Sequence, residues 1–555
     1  MNFREYMAAV DKKTGQMNEE QLRSWIHNYA RQQSEGGRDS FLKSLELPPA
    51  REQDARDLEK LKKWLEEMRQ EKYKLFYSEY EDYSTGCWDA DWIQEYEDPD
   101  GIGEVIDWAY ELAGKWVFEK KYKDAEFIYS RLNQMLVYAR GGDGDVIELD
   151  VRDLEEEGIV STNLEKVAVL TMYTLYQTHV NMKERVKAIS FCFHWEPARK
   201  IGIGDMLTAG PEELPDTEGF LEAWIPWLEK QNTPRDLELL EDAVLCRDGE
   251  KGLLTYAREN VREHPSFIQK ELQKLFDQAD YPKVLKLGAE AVRKMHSDWE
   301  IRGRVAELAF RAARQAGNRE AEREMLFCAC CSRPTMMNEL RWFAEDEGEK
   351  EKTQLLADRV KRIKGWRKTP CSFRETDEKR RYYISGKEEM FEELFLGNYT
   401  KLLEWCRNPK DSQESSSLHH PAELGERLLL LGLYRGEEFG KALQALCDSL
   451  AGDAGLYDEE SRAEFQDLII KWKKKNPFPV AQQAACTAYL EGTVDIRVCG
   501  IVSEQRRESY ARAALLAASL GAVLKSLGDG RDIVQLYHRK FPNHRLFRSE
   551  LRKYE

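Results

Sequence analysis

The strongest constraint in this sequence is a two-helix pattern that occurs twice with the same internal spacing. The two copies place small and apolar residues at matching intervals: Leu112, Ala113, Trp116, Ala125, Tyr129 and Leu132 in one, and Leu308, Ala309, Ala312, Ala321, Met325 and Cys328 in the other. In both copies the leucine precedes the alanine of the second helix by thirteen residues. Small residues at this spacing let two helices of a hairpin approach closely, while larger residues fill the groove to a neighbouring pair. The pattern predicts helical hairpins over 105–137 and 302–334.

These hairpins resemble the tetratricopeptide repeat, a helix pair that stacks into a scaffold. Residues 266–296 fit the pattern more loosely, and alanine replaces the usual glycine after the leucine at Ala113 and Ala309. The resemblance implies an all-α fold, a degenerate TPR-like solenoid of stacked antiparallel helix pairs with a smaller C-terminal helical lobe. The chain also resembles uncharacterised helical proteins of anaerobic Gram-positive bacteria, through NEEQLRSWIHNYAR, GEVIDWAYELA and HRLFRSELRKYE. That second resemblance implies no activity.

Composition shifts and turn signals predict five parts. These are N-terminal helices (1–74), an acidic-aromatic segment with the first hairpins (75–233), a TPR-like helical stack (234–369), a basic break with a polar connector (370–421), and a C-terminal helical lobe (422–555). Signals for β-strands are rare. The alternating run VDIRVCGIV at 494–502 is the best strand candidate, and VIELDVRDL at 146–154 suggests a short extended piece.

Charge and cysteine usage limit the class of protein. The net charge of −17 works against general binding to nucleic acid or to anionic membranes, because the long-range field repels phosphate. Eleven cysteines, an odd number, are scattered through helical contexts and fit reduced thiols in a cytoplasmic protein. No run approaches the eighteen or so apolar residues of a membrane-spanning helix.

A cluster of cysteines is the best metal candidate in the sequence. It consists of Cys328, Cys330 and Cys331, with Cys371 downstream. Zinc ligand pairs stand two to four residues apart, and Cys328 and Cys331 could meet on one helix face. Cys328 also occupies a small-residue position of the hairpin pattern, so we favour packing and expect neither a metal nor a cofactor.

An acidic-aromatic segment at 75–114 is a candidate docking surface for a basic partner. It contains twelve Asp or Glu residues, nine aromatic residues and neither Lys nor Arg. Aromatic side chains anchor protein interfaces and carboxylates steer a basic partner. The candidate partner-binding residues are Tyr80, Trp88, Trp92 and Tyr96. Aromatic packing between helices, with the carboxylates simply in water, explains the same composition.

A basic segment at 359–383 is the second surface candidate. It has ten Lys or Arg against three acidic residues, with aromatic residues between them. Such mixtures bind phosphate backbones and stack on bases. The candidate residues are Arg362, Lys364, Trp366, Arg367, Lys368, Arg380 and Arg381. A solvated helix end that pairs with acidic residues of the same chain is the alternative explanation.

Catalytic motifs are missing from the sequence. It contains no G-x-S-x-G, no phosphate-binding G-x-x-x-x-G-K-[ST] and no dinucleotide-binding glycine pattern. We therefore expect a non-enzymatic helical-repeat scaffold that binds a protein partner. The alternative is a nucleic-acid-associated component of a bacterial defence or regulatory complex that uses the basic segment.

Overall fold

Helices form most of the protein, as the sequence predicts. In the computed structural model, 72% of the chain is helical and 5% is in strands. The structure describes residues 13, 17–31, 38, 50–82, 91–142, 144–231, 233–345, 349–366, 377–407 and 421–555. The chain divides into two compact units, residues 1–247 and 248–555.

The first unit combines helices with one small sheet. Its helices are α1 (Glu19–Arg31), α2 (Ala50–Arg69), α3 (Ile102–Phe118), α4 (Tyr122–Leu132), α5 (Val151–Glu156), α6 (Leu164–Thr178), α7 (Met182–Phe193), α8 (Ile203–Thr208) and α9 (Thr217–Leu228). Its strands are β1 (Leu75–Asp82), β2 (Asp91–Glu97), β3 (Leu136–Arg140) and β4 (Val146–Asp150). The next helix, α10 (Pro234–Glu259), passes the boundary at 247 and is interrupted at Gly249, where φ is 69°.

The second unit is helical. Its helices are α11 (Pro265–Asp277), α12 (Tyr281–Lys294), α13 (Glu300–Gln315), α14 (Arg319–Ser332), α15 (Met336–Ala344), α16 (Lys350–Trp366), α17 (Gly386–Phe395), α18 (Tyr399–Arg407), α19 (Pro421–Leu433), α20 (Lys441–Asp453), α21 (Glu459–Lys475), α22 (Val480–Ser503), α23 (Tyr510–Ser526), α24 (Ile533–Lys540) and α25 (Arg545–Arg552).

Both predicted hairpins are present as helix pairs in contact. Helix α3 is followed by α4, and α13 by α14, each after a three-residue connection. Ala113, Ala125 and Ala309 are fully buried, whereas Ala321 and Cys328 of the second copy are only half-buried, so the small residues of the pattern lie in the core in part. Packing is also tight between α12 and α13, where a Cβ built on Gly288 would come within 2.8 Å of the Ala309 Cβ.

The sheet has the strand order β2-β1-β3-β4. Strands β1 and β2 are antiparallel, as are β3 and β4, whereas β1 and β3 are parallel. Strand β4 confirms the extended piece expected at 146–154, which ends where the Asp150 side chain caps α5 by accepting from the amides of Arg152 and Asp153. The other three strands had no sequence signal that we recognised.

The strand candidate at 494–502 is not a strand, because these residues lie inside helix α22. Val494, Val498 and Val502 are fully buried and stand four residues apart, which places them on one face of the helix. Apolar and polar residues do alternate in this run, but the buried residues are the valines that stand four residues apart.

None of the described helices combines the length and the apolar character that crossing a bilayer requires.

The close approach of α3 to residue 159 generates a stability prediction. A Cβ on Gly103 would lie 2.0 Å from the carbonyl oxygen of Ile159, a backbone atom with little room to move. We expect Gly103→Ala to destabilise the first unit by about 1–3 kcal/mol, the usual cost of overpacking. Thermal unfolding followed by circular dichroism measures this change.

The matched control is Gly114→Ala in the same helix. A Cβ there would meet only the Leu170 Cδ1, at an ordinary 3.8 Å. Alanine should stabilise the helix by about 0.5–1 kcal/mol, because glycine loses more backbone entropy on folding. Equal effects of the two substitutions would contradict the packing described for α3.

Candidate functional site: an acidic β-arm

Strands β1 and β2 form a two-stranded ribbon, residues 75–82 and 91–97, that we call the acidic arm. Their register runs from Phe76 opposite Glu97 to Asp82 opposite Asp91. Strand β1 pairs with β3 only at Leu75 and Phe76. Beyond Phe76, the pairing of β1 within the described residues is therefore with β2 alone, and the arm extends past the rest of the sheet.

Hydrogen bonds from side chains to backbone fix the base of the arm. The amide of Lys74, just before β1, donates to the Asp100 Oδ2 at 2.8 Å. After β2, the two carboxylate oxygens of Asp98 accept from the amides of Ile102 and Gly103, each at 2.8 Å. These are the first amides of α3, which have no partner within the helix. Both ends of the arm are thus attached to the helical body.

One face of the arm presents aromatic and acidic side chains to solvent. Phe76 and Tyr80 are 38% and 43% exposed. The Tyr80 hydroxyl donates to Glu95 at 2.9 Å on the same face, which orients the ring beside a carboxylate. Glu97 on this face is exposed as well. An exposed ring held next to carboxylates suits a cation that carries an apolar stem.

The opposite face of the arm is covered at its base and open further out. Tyr77 and Tyr96 are half-buried and lie 6.1 Å apart between ring centroids. Burial, and the carboxylates of Glu157 and Asp153, raise the pKa of Tyr96. Further along, Glu79 is exposed and accepts from the Gln94 side chain at 2.6 Å.

Exposed apolar side chains continue from the arm across β3 and β4 and form a strip that is interrupted by the exposed Arg140, which lies between Phe76 and Val146. Leu136 and Tyr138 are each 48% exposed, and Val146 is 56% exposed. The register places them on the same face of the sheet as Phe76, because side chains alternate along each strand. A groove of about 650 Å³ runs beside this strip, between α2, the end of α4 and β3; its walls are mixed, with five cations (Lys62, Arg69, Lys74, Arg131 and Arg140) beside the apolar residues. The sheet therefore offers apolar contacts next to the charges of the arm.

The predicted partner-binding residues fall in different places. Tyr80 lies on the exposed face of the arm, and Tyr96 lies half-buried on the opposite face. Trp92 is in β2, where only the backbone is described, and Trp88 lies outside the described residues. The β-ribbon brings Tyr80 and Tyr96 into one element, although the strands themselves were not foreseen.

Internal ion pairs occupy part of the basic segment. Lys364 lies at ion-pairing distance from Glu392 and, at 3.4 Å, from Glu393 of α17. Arg359, also in this segment, is 5% exposed and pairs with Asp298, while it donates to the carbonyl oxygen of Cys331 at 2.8 Å. Two of the segment's cations thus bind within the protein.

The remaining basic candidates are partly described. Arg362, Arg380 and Arg381 are exposed. The carbonyl oxygen of Arg380 accepts from the Glu300 amide at 3.0 Å, and Arg381 forms a β-bridge with Trp299, so the backbone there is anchored to the start of α13. Trp366 ends α16 with its side chain undescribed, and Arg367 and Lys368 lie outside the described residues.

The cysteine cluster lies in packed surroundings. Cys330 is 1% exposed and its thiol donates to the Asn338 carbonyl oxygen at 3.2 Å; Cys328 and Cys331 are half-buried. Burial raises the pKa of Cys330 well above its usual range and that of Cys331 to about 11. Burial of this degree is typical of cysteines that pack as small apolar side chains. The described residues contain no group of three potential metal ligands, and Cys371 lies outside them.

The different burial of Cys246 and Cys330 predicts different rates of alkylation. Iodoacetamide at about pH 8 should alkylate the exposed Cys246 first and leave Cys330 unmodified until the protein unfolds, because buried thiols stay protonated and inaccessible. Peptide mass spectrometry over time measures both rates, with Cys246 as the internal control. Alkylation of Cys328 and Cys331 that starts only after a chelator is added would contradict the packing interpretation, since it would indicate metal-held thiolates.

The chain matches no protein-family model, and no curated protein sequence or solved structure matches it. A function must therefore be inferred from the chemistry and geometry of the described surfaces.

Proposed function

We propose that this protein is a non-enzymatic scaffold whose acidic arm docks a basic polypeptide in an extended conformation. The observation that carries the proposal is a β-ribbon that projects from its sheet with carboxylates and an exposed tyrosine, and without a single Lys or Arg between residues 75 and 114. Helix α3, the first helix of the 105–137 hairpin, holds the base of the arm through Asp98.

Charge complementarity is the first argument for a basic partner. Glu79 projects from one face of the arm, and Glu95 and Glu97 from the other. A peptide lying along the ribbon would contact carboxylates on both sides. Such charges raise the association rate and select against acidic partners, and salt screens them beyond about 10 Å at 0.1 M.

Strand geometry is the second argument, because it explains an extended conformation. Strand β2 is at an edge of the sheet, and β1 beyond Phe76 pairs on one side only within the described residues. Edge strands offer unpaired amide and carbonyl groups to an added strand. The side chains of an added strand alternate between the two faces, so each face of the arm would meet every second side chain.

The apolar strip supplies affinity that charge alone lacks. Phe76, Leu136, Tyr138 and Val146 are exposed on one face, beside the carboxylate of Glu97. Burying apolar surface contributes about 25 cal/mol per Å², whereas exposed ion pairs contribute about 0–1 kcal/mol each. The arm would therefore select the sign of the partner's charge and the strip would hold its apolar side chains.

Nucleic-acid association through the basic segment is the weaker proposal. The carboxylates of Glu392, Glu393 and Asp298 already lie against two of its cations, and the whole chain carries a charge of −17. Each phosphate contact needs a cation that is free to replace a counterion.

Reversing the charge of two glutamates on the arm tests whether the arm binds a basic peptide. The probe is a fluorescent peptide that alternates Lys with Val, and fluorescence anisotropy at low salt measures its Kd. We expect Glu79→Lys/Glu95→Lys to weaken binding at least tenfold, about 1.4 kcal/mol, because the lysines of an alternating peptide meet one face of the arm and the variant reverses a charge on each face. Binding by the unmodified protein should also weaken as salt rises.

The matched control is Glu222→Lys/Glu404→Lys. These two glutamates are exposed on helices α9 and α18, so the variant has the same net charge with an intact arm. It should bind the peptide within about twofold of the unmodified protein. Equal loss in both variants, or equal binding of a peptide with Glu in place of Lys, would contradict a site on the arm.

A further inference from the structure

A cavity of about 720 Å³ in the second unit contains a lysine in an unusual environment. The cavity lies between the turn that follows α19 and the C-terminal end of α21 with the residues after it. Its walls include the rings of Tyr434, Phe439 and Phe478, together with Arg435, Glu437 and Lys474. Lys473, near the end of α21, is half-buried and lines this cavity.

The Lys473 amine makes two hydrogen bonds, both to backbone carbonyl groups. Its Nζ donates to the carbonyl oxygens of Leu431 at 2.5 Å and Gly432 at 3.1 Å, in the last turn of α19. No carboxylate in the described residues forms an ion pair with it. The Tyr434 ring centroid lies 6.0 Å from Nζ.

Two acceptors match the neutral form of this amine. An ammonium has three N–H donors, whereas a neutral amine has two and a lone pair. With the two donors used by Leu431 and Gly432, the lone pair of a neutral Lys473 remains free for a molecule in the cavity. Burial without a carboxylate partner acts in the same direction and lowers the pKa of Lys473 to about 7.

The charged groups around the cavity select for an anion. Arg435 and Lys474 are cationic, against the single carboxylate of Glu437. Arg435 is held in place, since its guanidinium donates to the Gln483 side chain at 2.7 Å and its amide donates to the Ser526 hydroxyl at 3.0 Å. A fixed guanidinium suits a carboxylate or phosphate group.

We propose that Lys473 forms a reversible imine with a small aldehyde or keto acid that carries a carboxylate or phosphate, and that Arg435 binds the anionic group. The Nζ lone pair attacks the carbonyl carbon, a C–N bond forms, and the nitrogen transfers a proton to the carbonyl oxygen. The resulting carbinolamine loses its hydroxyl group and the last amine proton as water, which leaves the C=N bond. The step exchanges no electrons with an oxidant or reductant, and added water reverses it.

Capping of α19 is the competing explanation for Lys473. A lysine at a helix C-terminus binds the last carbonyl groups and is favoured by the helix dipole in its charged form. A charged capping lysine would react with aldehydes no faster than its neighbours. The two explanations therefore predict different chemistry for the same contacts.

Reductive labelling of the full-length protein tests the proposal. The protein is incubated with glyoxylate and cyanoborohydride, which traps imines, and peptide mass spectrometry measures labelling at each lysine. At about pH 7.5 an ordinary lysine is neutral in about one molecule in a thousand. We expect Lys473 to be labelled at least tenfold faster than the exposed Lys474 at this pH, and the ratio of the two rates to fall above about pH 8, because Lys473 is by then already neutral while the neutral fraction of an ordinary lysine is still rising.

A variant of Arg435 and a neutral aldehyde test whether Arg435 binds the anionic group of the ligand. Arg435→Gln should slow labelling of Lys473 by glyoxylate at least threefold, but should leave labelling by the neutral propionaldehyde unchanged. Labelling of Lys473 no faster than Lys474 with either aldehyde would overturn the proposal and leave a capping lysine. Fast labelling by both aldehydes with no effect of Arg435→Gln would overturn the anionic ligand.

Discussion

The acidic arm depends on a short junction at its base. Only Leu75 and Phe76 pair with β3, yet Leu75 is fully buried, and Asp98 and Asp100 bind the amides that flank the ribbon. A two-stranded ribbon alone is marginally stable in water. Attached at both ends, the arm has a defined direction, so its carboxylates and Tyr80 have fixed positions relative to the apolar strip.

Carboxylates are exposed on the acidic arm, whereas several carboxylates of the second unit are buried in ion pairs. In the second unit, Glu464 of α21 binds Arg341 of α15 at 2.6 Å and Arg314 of α13 at 2.8 Å. Burial opposes ionisation there, but these two arginines lower the pKa of Glu464. Glu426 is also fully buried, against Arg497, but there burial outweighs the arginine and raises the pKa of the carboxyl group. Such pairs join helices that are distant in the chain, whereas the carboxylates of Glu79, Glu95 and Glu97 on the arm are exposed to solvent.

The sequence predicts the helices well because their signals are local. Short turns join α11 to α12 and α13 to α14, and Asn18 caps α1, where its side chain accepts from the Gln21 amide at 2.9 Å. The sheet was missed because charged residues alternate with tyrosines in β1 and β2, and because β1 pairs with β3 some sixty residues away in the chain. Pairing at such separations leaves little local trace.

The candidate sites show the same difference between local signals and contacts made by distant parts of the chain. Composition alone identified the acidic-aromatic segment, since the lack of Lys and Arg is visible in the sequence. It could not show that Lys364 would bind Glu392 and Glu393, because those contacts join α16 to α17. Nor could it single out Lys473 among the lysines of KWKKK, since its environment is made by the carbonyl groups of another helix.

Hydrogen–deuterium exchange with and without the Lys–Val peptide locates the surface that binds the peptide without any substitution. An added strand would satisfy free amides of the ribbon and slow their exchange. If the peptide binds the acidic arm, we expect it to protect amides within 75–82 and 91–97, together with those of β3 and β4 beneath the apolar strip. Protection confined to the helices between 265 and 344, with the arm unchanged, would contradict it and place the partner on the TPR-like stack.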